Sequence, residues 1–319
     1  MNDDQFLTTA EWVEKHLKLL GDMEDPAKFL ILVIKAMSQK RTDLLGLFIK
    51  KGLEVNNRII KLAMTDVLDF LVTKIGDKSK LKDIIVSNRP EGDKLIHFLA
   101  SHGDTEAVDW LLCNDVHIET KNKNEETPIH KAAMTGNVEM IKHLKKRGAD
   151  LYARDKYSLS PMESALLGDR IESIKCLKEL GANINTRDGN GRTPIFKAVM
   201  FNKIKSIRCL ASLGANMDAG DNDGTTPMFW AAMCGNIEGI RCLKELGANV
   251  NAGDNLDATP IFGAALNGKF ECMKCLADEL GANISLKANN GMTLVDAAKL
   301  SDSEITDKMV EWLHAKGVT

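Results

Sequence analysis

The residues best equipped for chemistry are seven cysteines and seven histidines, and their intervals decide what they can do. Cys176, Cys209, Cys242 and Cys275 are spaced 33 apart. A constant interval places them at one position of successive, similar helices and not round a common centre. Neighbouring helix axes lie roughly 8–10 Å apart, whereas a disulfide needs Cα atoms closer than about 7 Å. The ladder is therefore expected to stay reduced, each thiol behaving as a small buried hydrophobe, which favours a reducing compartment. Cys272 and Cys275 form a C-x-x-C, but no second Cys or His pair stands at finger spacing to complete a zinc site. No glycine-rich phosphate loop, HExxH, GxSxG or kinase signature is present. His16, His102, His117, His143 and His314 have no acid or nucleophile at a telling interval. The expectation is a non-enzymatic chain with no catalytic residue, no cofactor and no metal.

What positions these residues is a repeat. Thr127-Pro128, Ser160-Pro161, Thr193-Pro194, Thr226-Pro227 and Thr259-Pro260 recur every 33 residues, and Thr293-Leu294 follows after 34. A fixed period of this length means a stack of small units without one closed core. Proline in the first turn of a helix has its φ preset and lacks an N–H that would be unpaired there. The Thr before it is a natural N-cap. Small pairs such as Ala132-Ala133 and Ala231-Ala232 allow close helix approach. Ile240, Leu243 and Leu246 give a second helix its apolar face at a period of about 3.6, and Gly247 ends it as a left-handed residue. Asp221 to Gly224 supply turn chemistry for the connection to the next unit.

With Gly148-Ala149-Asp150, Gly181-Ala182-Asn183, Gly214-Ala215-Asn216, Gly247-Ala248-Asn249 and Gly281-Ala282-Asn283 closing each unit in phase, the chain resembles the ankyrin-repeat family. The resemblance implies an all-α solenoid of helix-turn-helix units joined by β-turn or hairpin fingers, about nine units counting degenerate caps. It also implies a structural, hydrogen-bonding role for His97 and His130, which stand at the His of the family's Thr-Pro-Leu-His box. The chain departs from that box with Glu163, Phe196, Phe229, Phe262 and Asp296, and the three phenylalanines are expected to replace hydrogen bonding by packing between repeats.

The organisation read from the sequence is an N-terminal capping helix at 1–25, degenerate ankyrin-like repeats at 26–88, about six regular repeats at 89–287 and a C-terminal capping repeat at 288–319. The register of 57–88 is blurred. A net charge of −3 without a basic block argues against general binding of nucleic acid or membrane surfaces. FLILVIKAM at 29–37 is too short to span a bilayer and contains Lys35. MNDDQF lacks the basic start and apolar core of a signal peptide. A cytoplasmic, non-secreted protein is expected, with the nucleus or a cytoskeletal assembly open.

Partner binding is the remaining class of function. Ankyrin-type stacks line a concave surface with their fingers and first helices. There one position gives Met134, Leu167, Met200, Met233 and Leu266 in successive repeats, with Phe201 beside Met200. Two readings are open: an exposed apolar stripe that binds a partner, or side chains folded over their neighbours as an extension of the core. Arg154, Tyr157, Leu159, Arg187 and Arg192 lie on the adjoining fingers, and Tyr and Arg are common at binding hot spots. Asp221, Asp223, Asp254 and Asp257 make the later fingers acidic, which would polarise the groove from basic to acidic, unless Asp221 and Asp254 serve their turns.

The leading expectation is a scaffold or adaptor binding a protein along the groove, oligomeric state unassigned. The alternative is a fixed structural subunit of a large cytoskeletal or ciliary-type assembly, or an inhibitory subunit masking its partner. Catalysis by residues 1–90 and nucleic-acid or phospholipid binding through Lys142, Lys145, Lys146 and Arg147 are the weaker readings; at helical spacing the latter form a solvated outer face.

Overall fold

Each Thr-Pro or Ser-Pro opens a short helix, and a second helix follows almost at once. The computed structural model describes residues 95–113, 116–301 and 304–319. The expected capping helix at 1–25 and the degenerate repeats at 26–88 lie outside the described residues. The helices in order are α1 (Leu95–His102), α2 (Thr105–Cys113), α3 (Pro128–Thr135), α4 (Val138–Lys146), α5 (Pro161–Leu167), α6 (Ile171–Glu179) and α7 (Pro194–Met200). They continue with α8 (Ile204–Ser212), α9 (Pro227–Cys234), α10 (Ile237–Glu245), α11 (Pro260–Leu266), α12 (Phe270–Lys274, prolonged by a π-helical turn at Cys275–Glu279), α13 (Leu294–Leu300) and α14 (Thr306–Ala315). Among the described residues there is no strand.

Contacts divide the chain into two compact units. One takes the residues up to Ala132 with Glu139–Asp150, and the other takes Ala133–Val138 with Leu151–Thr319. In the first, the box histidines have the structural role that the resemblance implies. His130 is fully buried and its Nδ1 accepts the backbone N–H of Thr127 at 3.1 Å. His97, also buried, donates from Nε2 to the carbonyl of Glu126 at 2.8 Å. Asp109 holds His143 at 2.7 Å and Arg147 at 2.6 Å, and Lys142 pairs with Glu139.

The second unit stacks α5, α7, α9, α11 and α13 in one row and packs α6, α8 and α10 in a second. Ile195, Met228 and Ile261, two residues past their caps, are buried between the rows, as are Ile240 and Leu243 of α10, while Leu246 stays half-exposed. The cap chemistry varies with the box residue. Ser160 and Thr293 form capping boxes with Glu163 and Asp296. Thr226 accepts the N–H of Phe229 at 3.2 Å. Before Phe196 and Phe262, however, the buried hydroxyls of Thr193 and Thr259 have no hydrogen-bond partner. Phenylalanine cannot reach back to its cap. It contributes apolar area instead: Phe196 and Phe262 are the largest fully buried side chains among the described residues.

Neighbouring repeats are joined by a recurring side-chain latch. Asn185 accepts the N–H of Asn216 at 3.1 Å, Asp218 that of Asn249 at 2.9 Å and Asn251 that of Asn283 at 2.8 Å. Tyr152 fills the same place, accepting from Asn183 at 3.2 Å and donating to the carbonyl of Gly181 at 3.1 Å. On the outer row Arg208 reaches Glu245 at 2.7 Å, and Arg241 grips Glu279 with two nitrogens at 2.8–3.0 Å. Such exposed pairs are screened by water and contribute little to stability. Cys176, Cys209, Cys242 and Cys275 are buried free thiols, and burial pushes the Cys209, Cys242 and Cys275 thiols above the usual range.

Candidate partner-binding face

The last or next-to-last residue of each first helix from α3 onward sits seven positions after its cap. At about 100° per residue that is nearly two full turns, so it returns to the side of the cap and fingers and leaves the buried side. This geometry explains the positions of the apolar stripe. Met134, Met200, Phe201, Met233 and Leu266 are half-buried, and Leu167 is 36% exposed. None is enclosed as a core residue. Leu300 extends the row and is 63% exposed. The lost proline and the longer interval there hide it in the sequence, although counting seven from Thr293 finds it.

The fingers are built alike. Asp155, Asp188, Asp221 and Asp254 each accept two backbone N–H groups through Oδ1, two and four residues later, at 2.8–3.1 Å. A backbone bond closes each base, as from Asp188 N–H to the Arg192 carbonyl at 3.0 Å. The fourth finger residue has positive φ: Ser158, Gly191, Gly224 and Asp257. At Gly191 a side chain would also collide with the backbone of Asn222 in the next finger. Asp221 and Asp254 therefore serve their turns, and of the proposed acidic set Asp223 and Asp257 remain as exposed side chains.

Each finger residue singled out in the sequence has its own surroundings. Leu159 is 6% exposed, which removes it from the candidate surface. It stands at the closed finger base, where its N–H and carbonyl bond to Asp155 while its side chain joins the interior. Arg154 donates to Glu163 at 2.6 Å and to the Ser158 carbonyl at 2.8 Å, stabilising a carboxylate that is only 1% exposed. Arg187 ties two fingers together through the carbonyls of Gly191 and Gly220 at 3.0 and 2.8 Å. Tyr157 is 64% exposed with the Lys156 ammonium 4.8 Å from its ring centre.

Arg192 has the least conventional setting. Its guanidinium lies 5.3 Å from the Phe196 ring centre and 5.1 Å from that of Trp230. Below it, Lys197 is buried against Asp188 at 2.8 Å. Burial pushes the Asp188 carboxyl up, but the Lys197 ammonium and the N–H groups of Arg192 and Asn190 outweigh it and hold it below its ordinary range. Trp230 takes the position of Lys197 one repeat later, a signal that the sequence analysis overlooked. Beyond it opens a cleft of about 400 Å³, lined by Met200, Asn202, Trp230, Cys234, Asn236 and Glu238 among others. Among the described residues no group of three or more His, Cys, Asp or Glu is placed to hold a metal ion, and no helix is long and apolar enough to cross a membrane.

Paired helices, Asp-closed fingers and Thr-Pro caps define a class, the helical repeat that presents one variable face. The particular family follows from the match of the chain to the model for ankyrin repeats (three copies) at residues 59–155, 96–188 and 162–254. With more than half of its length matched, the chain belongs to the ankyrin-repeat family, whose members generally mediate protein–protein interaction. Among solved structures it is similar to the ankyrin repeat domain of human ASB11, at 24% identity and a TM-score of 0.55 over 69% of this chain and 97% of that one. It is similar also to the ankyrin repeat domain of Bcl-3, a member of the IkappaB protein family, at 22% identity and 0.57 over 69% and 99%. At these identities the likeness concerns the fold. No curated protein matches the chain.

Proposed function

We propose that the chain is a non-enzymatic scaffold or adaptor that binds a partner protein along the row of first-helix ends from Met134 to Leu300, in the reducing environment of the cytosol. One observation supports this reading. Six apolar residues in phase at the first-helix ends are half-buried or exposed. Contiguous apolar surface of this kind marks interaction sites, and methionine, flexible and polarisable, suits adaptable recognition. The fingers alongside supply exposed Tyr157 and Arg187 for the polar rim.

The test is affinity purification from the source cells with the wild-type chain and with Met134, Met200 and Met233 all changed to Glu. A partner lost from a variant whose circular dichroism and melting are unchanged supports the stripe. Retention of every partner by that folded variant overturns it.

A further inference from the structure

Among the described residues, Arg192 is the one arginine whose side chain donates to no oxygen. Arg147, Arg154, Arg170, Arg187, Arg208 and Arg241 all do. A guanidinium carries five donors, and the hydrogen bond Arg192 makes is to Met200 Sδ, a weak acceptor at 3.9 Å. Asp221 stands 3.6 Å from its Nε, an ion-pair distance at which that nitrogen has no hydrogen-bond partner. The group is nevertheless held in place. Its backbone is pinned at both N–H and carbonyl by Asp188. Its Cζ lies 5.3 and 5.1 Å from the ring centres of Phe196 and Trp230, which are 5.7 Å apart.

This positioned cation shares Met200 and Trp230 with the adjoining cleft. Its side chain is 22% exposed although Nε is buried, so the terminal guanidinium nitrogens are the donors left for a ligand. Guanidinium recognises carboxylate through paired, charge-assisted hydrogen bonds, and ordering cost is small where the side chain is already fixed. The cleft walls from Met200 and Trp230 suit a bulky apolar group. Glu238, also in the lining, disfavours a second acid there.

We infer that Arg192 is the receptor for a carboxylate in a linear segment of a partner protein, set beside a large apolar side chain of that segment which fills the Met200–Trp230 cleft. The inference rests on the reading of this face as the partner-binding one and adds the chemistry of what it selects.

The probe is a displayed library of random short peptides selected on the full chain, with hits remade as free labelled peptides for anisotropy. Peptides with Asp or Glu next to Leu, Phe, Met or Trp should be enriched. Changing the acid to its amide, or Arg192→Gln in the chain, should weaken binding by about tenfold or more, with Arg192→Lys intermediate because it lacks the fork. In wild type the bound peptide should shield Cys234 from a maleimide while exposed Cys113 reacts as before, a readout independent of any variant's folding. Enrichment without an acid, binding indifferent to both changes, an unshielded Cys234, or no enriched peptide overturns the inference. Peptides that ignore Arg192 yet are lost in the triple Glu variant would refute this proposal alone; peptides that survive the triple variant would refute the stripe as well.

Discussion

The pair Asp188–Lys197 offers the sharpest test of how the candidate face is held. Their side chains are 1% and 7% exposed and 2.8 Å apart, so each has given up most of its hydration for the other. Removing one partner of such a pair costs about 3–5 kcal/mol, whereas replacing both by apolar groups is often close to neutral. Asp188→Asn keeps an oxygen for the N–H groups of Asn190 and Arg192 but leaves the Lys197 ammonium buried against a neutral group. Lys197→Met leaves the carboxylate facing a thioether. Each single change should lower stability by about 3 kcal/mol, and the double change should recover most of that loss. The assay is urea unfolding followed by circular dichroism, with hydrogen exchange at 188–192 reporting the finger directly.

Acid provides a second axis for the same pair. The Asp188 carboxyl titrates below its ordinary value, so its contribution is complete above the unfolded-state pKa. That contribution is lost as pH falls through the depressed folded-state value. The Asp188→Asn variant should lose less stability over that interval than wild type. Single changes worth less than about 1 kcal/mol, or a double variant as unstable as the sum of the singles, would refute the argument.

Three further outcomes are expected. Ser173 and Ser206 occupy equivalent positions, but Ser206 donates to Asp169 at 2.7 Å while the buried Ser173 hydroxyl has no partner. Ser206→Ala should therefore lower stability by about 1 kcal/mol, and Ser173→Ala should be neutral or stabilising; equal losses in melting experiments would contradict this. A Cβ at Gly263 would stand 2.9 Å from the Phe229 ring, so Gly263→Ala should cost about 1–3 kcal/mol by overpacking, more than the helix-propensity gain of about 1 kcal/mol. A raised melting temperature would show that the ring swings clear. In native protein at neutral pH a maleimide should modify Cys113 and Cys234 and spare Cys176, Cys209, Cys242, Cys272 and Cys275 until the chain unfolds. Burial contributes to this, raising the Cys272 thiol to about 11. Peptide mass spectrometry resolves the sites, and rapid native labelling of the ladder would overturn the reading.

Features that repeat at a fixed interval were legible in the sequence. Thr-Pro caps, glycine stops, the alanine pairs and the cysteine ladder each depend on a local rule applied again in the next unit. The substitution of Phe196 and Phe262 for the box histidine was legible for the same reason, down to the lost hydrogen bond at the cap. Roles set by unlike residues meeting across an unpredictable distance were not. Nothing in the spacing of Arg154 and Glu163 says that one neutralises the other across a finger. The burial of Leu159 depends on the finger closing over Asp155. Arg192 reads as a rim charge until Trp230, one repeat further on, supplies the ring against which it stacks. For Asp221 and Asp254 the sequence left both an acidic patch and a turn role open, and their Oδ1 bonds to backbone N–H groups decide for the turns.

The π-helical turn at Cys275–Glu279 has a consequence for how this array could change over generations. The repeat that contains it is one residue longer than those before it, and the surplus is absorbed where Leu280 bonds back to the Cys275 carbonyl at 3.1 Å and Ala282 to that of Leu276 at 2.8 Å. Downstream, Leu294 and Ala297 are buried like their counterparts Pro260 and Gly263, and Leu300, like Leu266, is not. The extra residue is thus accommodated with the buried and exposed positions of the following unit kept in phase. The end of the second helix is where this array takes up a change of length, while the interval of seven residues from cap to stripe position is the same from Thr127–Met134 to Thr293–Leu300. Drift in length and drift in recognition are thereby confined to different segments of each repeat, so the recognition face can diversify while the frame that carries it keeps its phase.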